Sequence, residues 1–161
     1  MLTEKSYIIL DTHAIMELFT ELGDRSIGRR IIEIIKIRCH SLIIPDIVSE
    51  LRVHLQVCPL NLIEALRSLL RGKFISLDRP PKAPQKILKK IEKYLWKIGC
   101  DKGDIVIAKV AYKRAKEHSI LIVSNDKCFH NALPKLCKLC KHRVEVVDVE
   151  RFLEIINFKE Q

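Results

Sequence analysis

Long apolar runs are missing from this chain. Stretches such as Tyr7-Ile8-Ile9-Leu10 and Ile120-Leu121-Ile122-Val123 fall far short of the roughly 18 consecutive apolar residues that a membrane span needs. Glu4 and Lys5 precede the first of them, which does not match a secretory signal. These absences lead us to expect a soluble, cytoplasmic protein with no membrane partner. Glycine is scarce too, at five residues. Neither a GxGxxG fingerprint after a strand nor a GxxxxGKS/T loop occurs, so a backbone cradle for nucleotide phosphates is not expected. Aromatic residues make up 6%, too few, and too readily used in a core, to read a base-stacking surface from them.

What the chain does contain is enough for a core. Its 161 residues, 48% hydrophobic and 30% charged, suit one ordinary domain over 1–161 and argue against disorder. Lys and Arg number 29 against 20 Asp and Glu, a net charge of +9. An excess of that size favours a polyanionic partner, nucleic acid first, through phosphate contacts and counterion release. A generally lysine-rich cell would produce the same balance. The six cysteines, Cys39, Cys58, Cys100, Cys128, Cys137 and Cys140, are scattered, and in a cytoplasmic chain they are expected as buried thiols rather than disulfides. Cys128, His130, Cys137, Cys140 and His142 crowd together near the end, but one CxxC without a second pair or finger spacing does not define a zinc site.

Apolar, β-prone runs alternate with helical periodicity along the chain. Strands are expected at Tyr7–Leu10, Leu42–Ile44, Lys73–Leu77, Ser119–Ser124 and Arg143–Val147. Helices are expected at His13–Leu22, Ser26–Cys39, Asp46–Val57, Asn61–Leu70, Gln85–Ile98, Gly103 or Asp104 to Glu117, Phe129–Leu139 and Glu150–Asn157. Short continuous apolar strands joined through helices predict a mostly parallel sheet covered on both faces, an α/β fold of the three-layer α/β/α sandwich type. Sites in open parallel sheets lie beyond the carboxyl ends of the strands. Asp11 and Asp126 stand at two such ends.

Taken singly, each acidic residue has a structural reading. Asp11 and Asp126 could cap the helices that follow them, Asp101 and Asp104 suit a helix start, and Glu50 could be a solvated helix residue. Taken together they form a pattern. Asp104 heads a stripe of small residues, Ala108, Ala111 and Ala115, that lets its helix pack closely and carries it to the strand ends. Glu50 lies about a turn into the helix after Pro45, at the edge of its apolar stripe. Converging carboxylates repel one another unless a hard divalent cation neutralises them, and an all-oxygen donor set favours Mg²⁺ or Mn²⁺.

The ordered set Tyr7-Ile8-Ile9-Leu10-Asp11-Thr12, Pro45-Asp46-Ile47-Val48-Ser49-Glu50, Gly103-Asp104-Ile105-Val106-Ile107-Ala108-Lys109-Val110-Ala111 and Leu121-Ile122-Val123-Ser124-Asn125-Asp126-Lys127-Cys128-Phe129 resembles a PIN domain, over about residues 5 to 155. The resemblance implies a metal-dependent endoribonuclease on an α/β/α sandwich, of the kind found in VapC-type toxins and RNA-processing nucleases. It implies that Asp11, Glu50, Asp104 and Asp126 form the catalytic, metal-binding quartet, using Mg²⁺ or Mn²⁺. Thr12 and Ser124 fall at supporting hydroxyl positions, and Asn125 and Asp101 stand beside the acids as further supporting residues. An antitoxin protein and a second copy of the chain join single-stranded RNA as expected partners. A catalytically silent PIN-like domain that binds RNA or scaffolds proteins is the alternative.

The segment from Arg79 to Lys97 is rich in lysine. Its helical apolar face, Ile87, Leu88, Ile91, Leu95 and Ile98, leaves Lys86, Lys89 and Lys93 outside. They read either as a solvated face or as an RNA track. Arg29 and Arg30 form a second candidate patch.

Overall fold

A computed structural model describes residues 6–11, 13, 14, 17, 18, 33, 41–45, 75–78, 86–141 and 143–156. Five strands and four helices fall among them. The strands are β1 (Ser6–Leu10), β2 (Ser41–Pro45), β3 (Ile75–Asp78), β4 (Ser119–Val123) and β5 (Val144–Val147). They form one sheet in the order β3-β2-β1-β4-β5, every neighbouring pair parallel. From β1 the chain steps outward through β2 to β3, then returns across the sheet to lay β4 on the other side of β1. That reversal makes the β1–β4 boundary the topological switch point, where the carboxyl ends of a parallel sheet open a crevice.

Register decides which side chains meet there. Tyr7 aligns with Ile120, Ile9 with Ile122 and Leu10 with Val123, while Ile120 aligns with Val144 and Ile122 with Val146. Strand side chains alternate between faces, so Tyr7, Ile9, Ile120, Ile122, Val144 and Val146 share one face. Ile8, Leu10, Leu121, Val123 and Val147 share the other. Both sets are buried apart from Tyr7, which is half-buried, as expected of strands covered on two sides.

Three helices pack on the Ile9 face: α1 (Lys86–Lys97), α2 (Lys102–Arg114) and α3 (Lys127–Leu139). In α1 the buried residues Leu88, Ile91 and Leu95 recur at helical spacing and join the same core. The helix ends on Gly99, whose φ of +89° is the left-handed conformation a C-terminal cap requires. The Gly99 amide donates to the Trp96 carbonyl and the Cys100 amide to the Leu95 carbonyl, the two bonds of a Schellman motif. This stop turns the chain directly into α2. Its small stripe, Ala108, Ala111 and Ala115, is buried against the core. A Glu92–Lys109 ion pair at 2.9 Å ties α1 to α2, and the Lys135 ammonium sits 4.1 Å from the Tyr94 ring centre between α3 and α1. Helix α4 (Val149–Ile155) buries Val149 and Phe152.

The described strands and helices match the expected alternation, with α3 starting two residues earlier than expected because Asp126 caps it. The helices expected between His13 and Leu70 lie wholly or largely outside the described residues. The cysteines require a correction. Cys100 and Cys128, expected as thiols, are joined in a disulfide. The turn after Gly99 and the first turn of α3 bring their Cα atoms to 5.6 Å, within the usual range for such a bond. Cys137 and Cys140 are free thiols; Cys137 Sγ donates to the Val144 carbonyl at 2.7 Å, and burial pushes the Cys140 thiol up to about 11.

Two substitutions check this packing by urea denaturation. Phe129→Ala removes a fully buried ring and should cost about 3–5 kcal/mol. Gly99→Ala adds a Cβ that meets nothing within 4 Å, so only the backbone penalty of about 1–2 kcal/mol should appear.

Candidate functional site

The alternation that buries Ile9 and Ile122 continues past the strand ends. Asp11 and Ser124 are the next residues in register on the same face, and the Asp11 amide donates to the Val123 carbonyl at 3.1 Å, extending the β1–β4 ladder. The side chains therefore meet. Ser124 Oγ donates to Asp11 Oδ2, and the Ala14 amide donates to Asp11 Oδ1 at 2.6 Å. Both Asp11 and Ser124 are buried.

Asp126 lies two residues on. Its amide donates to Ser124 Oγ at 3.0 Å. Its own Oδ1 accepts from the Cys128 amide at 2.9 Å, which makes it the N-cap of α3. Asp104 arrives from α2. Asp101 caps that helix, taking the Asp104 amide on Oδ1 at 2.9 Å, while Asp104 Oδ2 takes the Asp101 amide at 3.1 Å. This is a reciprocal capping box. Asp101 is exposed, whereas Asp104 is only 7% exposed. Asp104 shares a side-chain hydrogen bond with Asp126, and Asp126 also acts electrostatically on Asp11.

Three of the four expected acids thus converge, with half-buried Asp126 facing both of the others. Their burial and mutual charge show in their proton affinities. Burial raises the Asp11 carboxyl above its ordinary value, against the opposing hydrogen bonds from Ser124 and the Ala14 amide. Burial likewise lifts Asp104 to about 7; the Asp101 amide opposes this, and the charges of Asp101 and Asp126 add to it. Asp148 is a useful contrast. It caps α4 in the same way, accepting from the Arg151 amide at 2.7 Å, but is exposed. Capping alone does not require burial.

Of the remaining expected residues, Asn125 has a bracing position. Its amide donates to Glu17 at 2.5 Å and its carbonyl accepts from the Val149 amide at 2.9 Å, joining the end of β4 to the start of α4. Lys86, Lys89 and Lys93 are exposed along α1. Glu50, Thr12, Arg29 and Arg30 lie outside the described residues.

Several residues outside the expected site take part; Cys128 and His130 were noted in the sequence only as part of a cysteine–histidine pattern near the end of the chain. His130 Nε2 donates to the Ser124 carbonyl at 2.8 Å, and His13 acts electrostatically on Asp11. Trp96 is 53% exposed on α1. Cys100 and Cys128 flank the acids, and the signal was their position: one precedes Asp101, the other follows Asp126 by two residues.

Each clustered carboxylate has one oxygen fixed by a nearby backbone amide. Asp104 and Asp126 are hydrogen-bonded to each other through their side chains, and Asp11 Oδ2 accepts from Ser124. Among the described residues, the one trio of donor side chains whose ligand atoms all lie within 4.8 Å of one another is Cys100, Asp104 and Cys128. The three aspartates do not form such a trio. No helix among the described residues is long and apolar enough to cross a membrane. No family model matches the chain, and no curated protein matches it.

The raised affinity of Asp104 has a definite sign. From the ordinary value of 3.8 up to about 7, the unfolded chain has lost a proton that folded Asp104 retains, so this group's stabilisation is full below that interval and is lost across it as pH rises. In chelator, the melting temperature of the wild type relative to Asp104→Asn should therefore fall between about pH 4 and 7. A pH-independent difference would contradict the assignment.

Proposed function

We propose that this protein is a Mg²⁺- or Mn²⁺-dependent endoribonuclease built on a PIN-like three-layer α/β/α sandwich. The convergence of Asp11, Asp104 and Asp126 at the β1–β4 switch point carries the reading. In it, Asp11, Asp104 and Asp126 offer oxygens to the cation, with Glu50 as the fourth acid of the expected quartet. The cation supplies charge neutralisation at a scissile phosphate and a bound water of lowered pKa.

The chain's own residues do the rest. Ser124 fixes the rotamer of Asp11 through Oδ2, and the amides of Ala14, Cys128 and Asp101 orient one oxygen of each acid. In this reading a cation takes the place of the proton that Asp104 retains beside Asp126. The exposed lysines of α1 supply phosphate contacts to a single-stranded RNA, and this helix runs toward Asp101 and Asp104 at its carboxyl end. Exposed Trp96 adds an apolar surface on the same helix.

Cleavage of single-stranded RNA in Mn²⁺, with and without chelator, tests this reading. Asp11→Asn, Asp104→Asn and Asp126→Asn should each lower the rate by about 100-fold or more. Asp101→Asn should retain most activity, since Asn remains a competent cap. Wild-type cleavage in all four variants would reject the nuclease, and RNA bound but left uncut by the wild type would favour the silent binding domain. In a separate measurement, replacing Lys86, Lys89 and Lys93 with Ala should reduce the slope of log affinity against log salt by about 2, at roughly 0.7 per single-strand phosphate contact. An unchanged slope would move the RNA path off α1.

A further inference from the structure

The Cys100–Cys128 disulfide joins the turn before α2 to the first turn of α3, the two helix starts that deliver Asp104 and Asp126. Its sulfurs and an Asp104 carboxylate oxygen lie within 4.8 Å of one another. Cys100 and Asp104 are buried and Cys128 is half-buried, so the trio is anchored in the core and approachable from one side. Two thiolates and a carboxylate are an unsuitable set for Mg²⁺ but a good one for Zn²⁺, which accepts sulfur and oxygen donors tetrahedrally and commonly leaves a fourth position to water.

We infer that Cys100, Cys128 and Asp104 form a redox-controlled site for a thiophilic divalent cation, closed in the disulfide form and opened by reduction. A small dithiol reductant opens it. Its thiolate attacks the more accessible Cys128 sulfur, the S–S bond breaks, and Cys100 leaves with the electron pair as a thiolate. The second thiol of the reductant then resolves the mixed disulfide, so that the reductant is oxidised to its own disulfide and both cysteines end as thiols. Zn²⁺ binds by displacing the two thiol protons and taking Asp104 oxygen as third ligand. Tetrahedral Zn²⁺ with sulfurs at about 2.3 Å holds them roughly 3.8 Å apart. Asp104 thus belongs to two donor sets, one of oxygens and one rich in sulfur, and the thiol redox state selects between them.

Co²⁺ is the probe. It is titrated into the full chain, either oxidised or reduced with a phosphine that is then removed, while thiolate-to-Co²⁺ charge-transfer absorption is followed. The reduced protein should show this band at one equivalent of Co²⁺, and Zn²⁺ should abolish it; the oxidised protein should not show it. Cys128→Ser and Cys100→Ser should each lose the two-thiolate spectrum, with far-ultraviolet circular dichroism confirming their fold. Asp104→Asn should keep the band but weaken Co²⁺ affinity by at least about tenfold. A reduced wild type without the band, a band that survives Cys128→Ser through Cys137 and Cys140, or unchanged affinity in Asp104→Asn would overturn the site. Because the readout is sulfur ligation, none of these outcomes depends on RNA cleavage, and loss of cleavage would leave this site standing.

Discussion

Like charges crowded at the end of a parallel sheet are the constraint around which this structure is organised. Asp11 has no freedom to avoid its neighbours: the β1–β4 register sets it beside Ser124, and Ser124 carries Asp126 two residues later. The capping box of α2 brings Asp104 against Asp126 from the other side. Burial of unpaired carboxylates is costly unless protons, hydrogen bonds or cations compensate them. Here backbone amides and one hydroxyl satisfy part of the cluster. The proton retained by Asp104 up to about 7 shows that they do not satisfy all of it.

The surrounding fold holds the cluster in place rather than relieving it. Alanines on α2 let that helix lie close to the sheet, and Gly99 stops α1 so abruptly that Asp101 can cap the next helix. Phe129, fully buried one turn into α3, anchors the helix that Asp126 caps. His130 and Asn125 brace the segment between β4 and α4. Every one of these contacts could be explained as ordinary stabilisation. Together they hold Asp11, Asp104 and Asp126 near one another at the carboxyl end of the sheet.

How much of this was legible in the sequence differs by element. The strands β1 and β4 were readable because they are continuous apolar runs, and α1 because Leu88, Ile91 and Leu95 repeat at helical spacing before a glycine. Asp101 as cap and Asp104 as the buried acid followed from the alanine stripe, which fixes the buried side of α2. The bond between Ser124 and Asp11 depends on inter-strand register, and a single strand's sequence does not specify its partner's alignment. The disulfide was missed for a related reason: its cysteines are 28 residues apart, and only the Gly99 turn and the α3 cap together bring them near. Composition pointed toward thiols, whereas tertiary geometry paired them. Trp96 was ambiguous because a helix with several apolar residues does not itself say which one faces water.

In the proposed nuclease the carboxylate cluster exchanges a proton for a hard cation. The most direct measurement is the number of protons released when Mn²⁺ binds, obtained by calorimetric titration in buffers of different ionisation enthalpy at several pH values. We expect Mn²⁺ to displace close to one proton per site below pH of about 7 and progressively fewer above it, with Asp104→Asn abolishing the release. Mn²⁺ binding with no pH-dependent proton release, or the same release in Asp104→Asn, would contradict that claim.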